Sequence, residues 1–351
     1  SKVMEKDELF NIGNSDEYTR VRFGLFAAEN ITAADGSVIP ADGLISEISL
    51  AENMSAKFDT ALPFGKYYVQ EIATDEHYVL NGKKYLVNFE YMGQEVTTVT
   101  VDCGEFKNAL KRGKISGKKV DENEKSLENA LFGLFAVDTA EFTADNAYMT
   151  AVSDENGHFE FDKIPYGEYI VREIEAPTGY ILSDESYPVT ISEDGEVIEI
   201  KAVNKSTKVR ISKQDITTGE ELPGATLQII DEDGNVATEW VSTDEAHFIE
   251  GKLIAGKEYT LRETIAPDGY EIASEIKFTV NTDGSVTEVV MYDEHTPDLE
   301  IPPTVTIDTP NTGVSADNSA ELYLVAAAVI MAFGMVICKR NDKEQRKDDV
   351  K

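Results

Sequence analysis

The chain repeats itself, and that repetition limits what it can fold into more than any other feature. Phe23-Gly24-Leu25-Phe26-Ala27-Ala28 recurs as Phe132-Gly133-Leu134-Phe135-Ala136-Val137. Gly65-Lys66-Tyr67-Tyr68-Val69-Gln70-Glu71 recurs as Gly167-Glu168-Tyr169-Ile170-Val171-Arg172-Glu173. A third copy reads Tyr259-Thr260-Leu261-Arg262-Glu263, with its glycine one residue further back at Gly256. Ala176-Pro177-Thr178-Gly179-Tyr180 then matches Ala266-Pro267-Asp268-Gly269-Tyr270, and only Tyr78 survives of this motif in the first copy. Each tyrosine stands seven residues after its glutamate, and the glutamates are 102 and then 90 residues apart. A repeat of that length is a domain, not a solenoid turn. The 351 residues therefore hold tandem copies of one module.

Each module reads as all-β. Short runs alternate apolar and polar residues between Gly, Asn, Asp and Pro punctuation. Asn156-Gly157, Asp194-Gly195, Asp233-Gly234 and Asp283-Gly284 sit between such runs and are expected to be hairpin turns. About 90 residues with turns at this spacing predict a two-sheet sandwich of immunoglobulin-like kind. No long helical periodicity occurs before the C-terminal end.

Composition narrows the function. A formal net charge of −34 repels phosphate along the whole body, which excludes nucleic acid. Four scattered histidines (His77, His158, His247, His295) supply neither a zinc site nor a histidine-based triad. Two cysteines, Cys103 and Cys338, exclude a disulfide framework, so modules working outside a cell need another staple.

The sequence YxxxE followed by APxGY resembles the E-box region of SpaA-type, Cna B-like domains of pilins and surface adhesins. The resemblance covers residues 113–295 well and 1–112 more loosely. It implies tandem prealbumin-like β-sandwiches, each commonly closed by an internal Lys–Asn or Lys–Asp isopeptide bond beside a buried acid. The expected domains are 1–112, 113–204 and 205–295.

That chemistry needs a neutral amine, a carboxamide or carboxylic acid, and a proton-shuttling acid. Burial provides the first and last together, because desolvation lowers a lysine pKa and raises that of a glutamate. All three groups must then face the core, and alternate residues of a strand share a face. In the third module Val209, Ile211 and Lys213 share parity, as do Tyr259, Leu261 and Glu263, and Val289, Met291 and Asp293. In the second the sets are Ile115, Gly117, Lys119; Tyr169, Val171, Glu173; and Ile198, Ile200, Ala202, Asn204. Lys119-Val120-Asp121 and Lys213-Gln214-Asp215 share a K-x-D register, which selects Lys119 over Lys118. In the first module Lys6 and Asn108 are the nearest equivalents, with Glu71 between them. Lys6 has only Met4 as an apolar same-face neighbour, and Asn108 is out of phase with Val99, Val101 and Cys103. The APxGY segments read as turns whose tyrosine packs over the next strand.

The C-terminal end has a different character. Leu322–Cys338 is a seventeen-residue run without a charge, at the lower edge of a membrane span. The last thirteen residues, 339–351, carry six basic and four acidic side chains, which places that tail in the cytoplasm and the acidic body outside. Just upstream stands Thr309-Pro310-Asn311-Thr312-Gly313. Pentapeptide, apolar span and basic tail in this order resemble the cell-wall sorting signal of Gram-positive surface proteins, with Thr309 where that pattern has Leu. The resemblance implies that sortase cleaves after Thr312 and joins its carbonyl to peptidoglycan or to another pilin subunit, residues 322–338 being inserted in the membrane only beforehand. Pro297, Pro302 and Pro303 make 296–321 an extended stalk carrying the motif. Ser1 in place of Met and the lack of a signal peptide point to a trimmed chain.

Other classes fit less well. Asp231-Glu232-Asp233-Gly234-Asn235 opens like a calcium loop, but Val236 and Ser242 replace its required Gly and Glu, leaving a tight turn. A carbohydrate-active surface enzyme would need a distinguished carboxylate pair, and nothing marks one. The expectation is a wall-anchored stalk, adhesin or minor pilin, without cofactor or metal and with an unidentified ligand. It is not an enzyme beyond autocatalytic bond formation. A polymerising pilin backbone is the alternative, although no YPK-like lysine context occurs.

Overall fold

A computed structural model describes residues 1–96 and 98–297. The sorting pentapeptide, the apolar run 322–338, the basic tail and all but the first two residues of the stalk lie outside the described residues. Among the described residues no helix is long and apolar enough to cross a membrane. The only helices there are two single 3-10 turns, Glu17–Arg20 and Ala144–Asn146.

Strand formation follows the alternation read from the sequence. Along Arg112–Asp121, Gly113, Ile115, Gly117 and Lys119 are buried while Lys118 is exposed. Along Val286–Asp293, Thr287, Val289, Met291 and Asp293 are buried in turn. Each such strand gives one face to a core and the other to water.

The strands form three sandwiches in chain order. The second faces a four-stranded sheet (Met149–Val152, Leu131–Ala136, Gly167–Glu175, Ser186–Ile191) with a three-stranded one (His158–Pro165, Arg112–Asp121, Val197–Asn204). Both sheets feed one core, where the Phe132 and Phe159 rings stack 3.8 Å apart. The third sandwich repeats this arrangement with Val236–Val241, Thr226–Ile230, Glu258–Ile265 and Ile276–Thr279 against His247–Glu250, Lys208–Asp215 and Val286–Asp293. The first has the four-stranded sheet (Leu44–Ser49, Arg22–Ala27, Gly65–Ala73, Tyr85–Phe89) but faces it with only two strands, Lys2–Met4 and Phe106–Asn108. No strand lies between Ser49 and Gly65, where the other sandwiches place theirs. Phe58 and Leu62 pack there instead, beside a cavity of about 620 Å³ that Cys103 also lines.

One topological feature positions everything that follows. In every sandwich the opening and closing strands are parallel neighbours: Lys2–Met4 with Phe106–Asn108, Arg112–Asp121 with Val197–Asn204, and Lys208–Asp215 with Val286–Asp293. This pairing corrects the reading of the turns. Only Asp233-Gly234 closes a hydrogen-bonded hairpin. Asn156-Gly157, Asp194-Gly195 and Asp283-Gly284 carry the chain from one sheet to the other. A period-two pattern shows which face of a strand is inward, but not which sheet the strand joins.

Candidate functional site

The parallel pairing places one lysine, one glutamate and one asparagine or aspartate in the core of each sandwich at a common register. Lys119 lies opposite Ala202, two residues before Asn204. Lys213 lies opposite Met291, two residues before Asp293. Lys2 lies opposite Phe106, two residues before Asn108. The electrophile candidate is therefore always two positions beyond the lysine's partner, on the same face.

The glutamate comes from the facing sheet, and its strand is irregular at one constant point. Glu71 pairs with Phe23, Glu173 with Phe132 and Glu263 with Leu227, and in each case the register shifts immediately before that partner. Such a bulge re-aims a side chain without disturbing the rest of a ladder.

In the first sandwich Lys2 Nζ donates to Glu71 Oε1 at 2.6 Å and to Asn108 Oδ1 at 2.6 Å. Asn108 Nδ2 returns to both Glu71 oxygens at 3.0 Å and to Thr74 Oγ1 at 2.8 Å. In the second, Asn204 Nδ2 donates to Glu173 Oε1 at 2.9 Å, and Lys119 Nζ stands 3.7 Å from the same oxygen. Lys119 Nζ and Asn204 Oδ1 are buried without a hydrogen-bond partner. In the third, Lys213 Nζ donates to Asp293 Oδ1 and stands 3.2 Å from Glu263 Oε1. Glu263 Oε1 and Asp293 Oδ2 lack hydrogen-bond partners. Orphaned buried polar atoms are rare because each forfeits its hydration, so four at two equivalent sites single these clusters out as the candidate sites.

The structure thus brings together Lys119, Glu173 and Asn204, and likewise Lys213, Glu263 and Asp293. In the first sandwich it brings Glu71 and Asn108 together but not Lys6. Lys6 is exposed, and its Nζ reaches Asn14 Oδ1 at 3.1 Å. The reading of Lys6 assumed a strand reaching residue 6; the strand ends at Met4, and an Asp7–Ile12 bridge turns the chain away. Lys2 takes the position instead. Asn108 is in phase with buried Phe106, because the residues before them, Val99 to Cys103, are not in a strand. Lys2-Val3-Met4 lacks the aspartate of the K-x-D register, and only the strand pairing could have revealed it.

Burial sets the electrostatics. It pulls the Lys119 amine down to about 8, against the opposing pull of Glu173. It pushes the Glu173 carboxyl up. Lys2 is lowered for the same reason, and Glu263 is raised by burial with a further contribution from the Asp293 charge. An amine losing its proton beside an acid keeping one is the pairing that nucleophilic attack requires. Gly157 closes the second site from outside: at φ +73° it accepts from Lys119 N at 2.6 Å, and a Cβ there would lie 2.2 Å from Lys119 O.

Residues 113–206 and 207–295 each match the SpaA prealbumin-like fold domain, so the chain belongs to that family. It is 26% identical over 233 residues to the trypsin-resistant surface T6 protein of Streptococcus pyogenes serotype M6, across 64% of this chain. The match spans 36% of that protein's length. Among solved structures, the Bacillus anthracis TIE protein is similar at 24% identity and TM-score 0.47, covering 84% of this chain and 50% of that one. A streptococcal ancillary pilin is similar at 20% identity and TM-score 0.30, covering 84% and 98%.

Proposed function

We propose that this chain is a surface-anchored structural protein, a stalk, adhesin or minor pilin, whose three sandwiches are each closed by an intramolecular isopeptide bond. The carrying observation is the threefold recurrence of a buried Lys, Glu and Asn or Asp at one register. In the second sandwich the neutral Lys119 Nζ attacks Cγ of Asn204. A C–N bond forms, the side-chain nitrogen leaves as ammonia, and Glu173 carries the amine's proton to it. In the first, Lys2, Glu71 and Asn108 take the same roles. In the third, Lys213 attacks Asp293 and an oxygen leaves as water, Glu263 again moving the proton. The low-dielectric core favours each neutral reactant over its ion.

The relative's printed description as a surface protein agrees with this reading. So does the order of Thr309-Pro310-Asn311-Thr312-Gly313, apolar span and basic tail, from which attachment by sortase through Thr312 follows. Intact-mass spectrometry of residues 1–296 tests the chemistry. The expected deficit is two ammonia and one water, and the full sequence mass overturns the proposal. Peptides from wall-released protein should end at Thr312 joined to wall material; peptides running through Gly313 would refute the anchoring.

A further inference from the structure

The tyrosine motif after each glutamate strand does more than turn the chain. Resting on the cross-linking just proposed, we infer that this loop is a positioning element for the reaction. One of its backbone N–H groups holds the outer oxygen of the glutamate, and its tyrosine ties that group to the strands carrying lysine and electrophile.

The geometry is the same three times. Asn81 N donates to Glu71 Oε2 at 2.7 Å, Ser183 N to Glu173 Oε2 at 3.0 Å, and Ala273 N to Glu263 Oε2 at 2.6 Å. Each donor is the third residue after the tyrosine. In every sandwich Oε1 is the oxygen nearest the lysine. An anchored Oε2 leaves the carboxyl one rotational setting, with Oε1 toward the reacting pair.

The loop is in turn tied to the closing strand just beyond the electrophile. Tyr78, Tyr180 and Tyr270 bridge Leu110, Ser206 and His295, each two residues past Asn108, Asn204 and Asp293. Two backbone bonds make each tie: Val79 N to Ala109 O and Lys111 N to His77 O, Ile181 N to Lys205 O and Thr207 N to Gly179 O, Glu271 N to Glu294 O and Thr296 N to Gly269 O, all 2.8–3.0 Å. The tyrosine hydroxyl reaches the opening strand as well, or in the first sandwich the residue just after it. Tyr270 donates to Asp215 Oδ2 at 2.7 Å and Tyr180 to Asp121 Oδ2 at 3.4 Å, while Tyr78 donates to the Glu5 carbonyl at 2.9 Å. One loop thereby fixes acid, amine and electrophile relative to one another. The first sandwich has lost Ala, Pro and Gly from the motif yet keeps the N–H contact and the bridge, so the tie and not the turn sequence is what recurs.

In the third sandwich the proton leaves Lys213 Nζ, crosses Glu263 Oε1 and joins the departing Asp293 oxygen, releasing water. Replacing the Ala273 amide by an ester, with lactic acid inserted at that codon during cell-free synthesis of the full chain, deletes the N–H and little else. Loss of water followed by intact mass should slow roughly ten- to a hundredfold, the worth of one hydrogen bond to a charged group. The alkaline limb of the rate–pH profile should move to higher pH, because the carboxylate has lost a donor that favours its charged form. Tyr270→Phe should slow the reaction less. A wild-type rate in the ester protein, or a slower rate with an unmoved limb, overturns the positioning role while leaving the cross-link intact. Wild-type protein that keeps its full mass overturns both readings.

Discussion

The first sandwich and the two that follow solve the same problem with different amounts of scaffold. The later two hold their lysine in the centre of a three-stranded sheet, flanked by His158–Pro165 or His247–Glu250 on its other edge. The first holds Lys2 on a two-stranded ribbon, next to a cavity where the others have a strand. Its lysine is nonetheless fully buried and its three polar groups are the most completely hydrogen-bonded of the set. The register of opening and closing strands, the bulge opposite the glutamate and the tyrosine bridge survive, while the third strand and the K-x-D aspartate do not. The site therefore depends on those three devices, and the surrounding sheet is replaceable.

Substitutions can break that comparison. The largest effect is expected from Glu173→Ala, which should restore one ammonia of mass. By analogy with a disulfide closing a loop of similar size, it should destabilise the second sandwich by about 4–5 kcal/mol; a denaturant titration of the variant checks it. Lys2→Ala should restore an ammonia in the first sandwich and remove its covalent closure, a loss of about 4 kcal/mol by the same analogy. Lys6→Ala, on the surface, should change neither mass deficit nor stability by more than about 0.5 kcal/mol. The reverse outcome would return the role to Lys6.

A smaller effect is a pH signature. In Asn204→Ala the Lys119 amine stays free and titrates near 8 in the folded domain, against its ordinary value of 10.5. Between those values the unfolded chain holds a proton the folded one has shed, so stability should rise with pH across the window. Cross-linked wild-type protein, its lysine nitrogen an amide, should lack that limb in melts between pH 8 and 11. Between the loss of a cross-link and the silent Lys6→Ala falls Gly269→Ala, at about 1–2 kcal/mol for a left-handed alanine in open space. Gly179→Ala, at the same motif position, should lose clearly more, since its Cβ would lie 2.2 Å from Gly251 O. Equal melting points would remove the third sandwich as the cause.

Much of the site could be read in the chain because burial and strand parity are local properties. Lys119 was separable from Lys118, and Glu173, Glu263, Asn204 and Asp293 were legible, each in phase with apolar neighbours. Lys2 was not, because only one alternation, Lys2 to Met4, surrounds it and no aspartate follows. Its identity lies in pairing with Phe106–Asn108, more than a hundred residues away in the chain. The turns failed for a related reason: the residues that suit a hairpin also suit a crossover between sheets, and the choice rests on long-range pairing. The tyrosine motif was legible as a turn but not as a tie, since its contacts are to backbone that carries no sequence signal.

The parallel pairing of first and last strands has a mechanical consequence. A chain entering along one strand and leaving along a parallel neighbour meets tension as shear, with every ladder bond loaded at once rather than in succession. In the second and third sandwiches the lysine stands near the end of the opening strand and its partner at the end of the closing one, so the proposed covalent link would carry force directly from one to the other. In the third sandwich tension would enter through Lys208–Lys213, cross to Asp293 and leave. The 79 residues from Gln214, just after Lys213, to Tyr292 would hang off the line of force as an unloaded side branch.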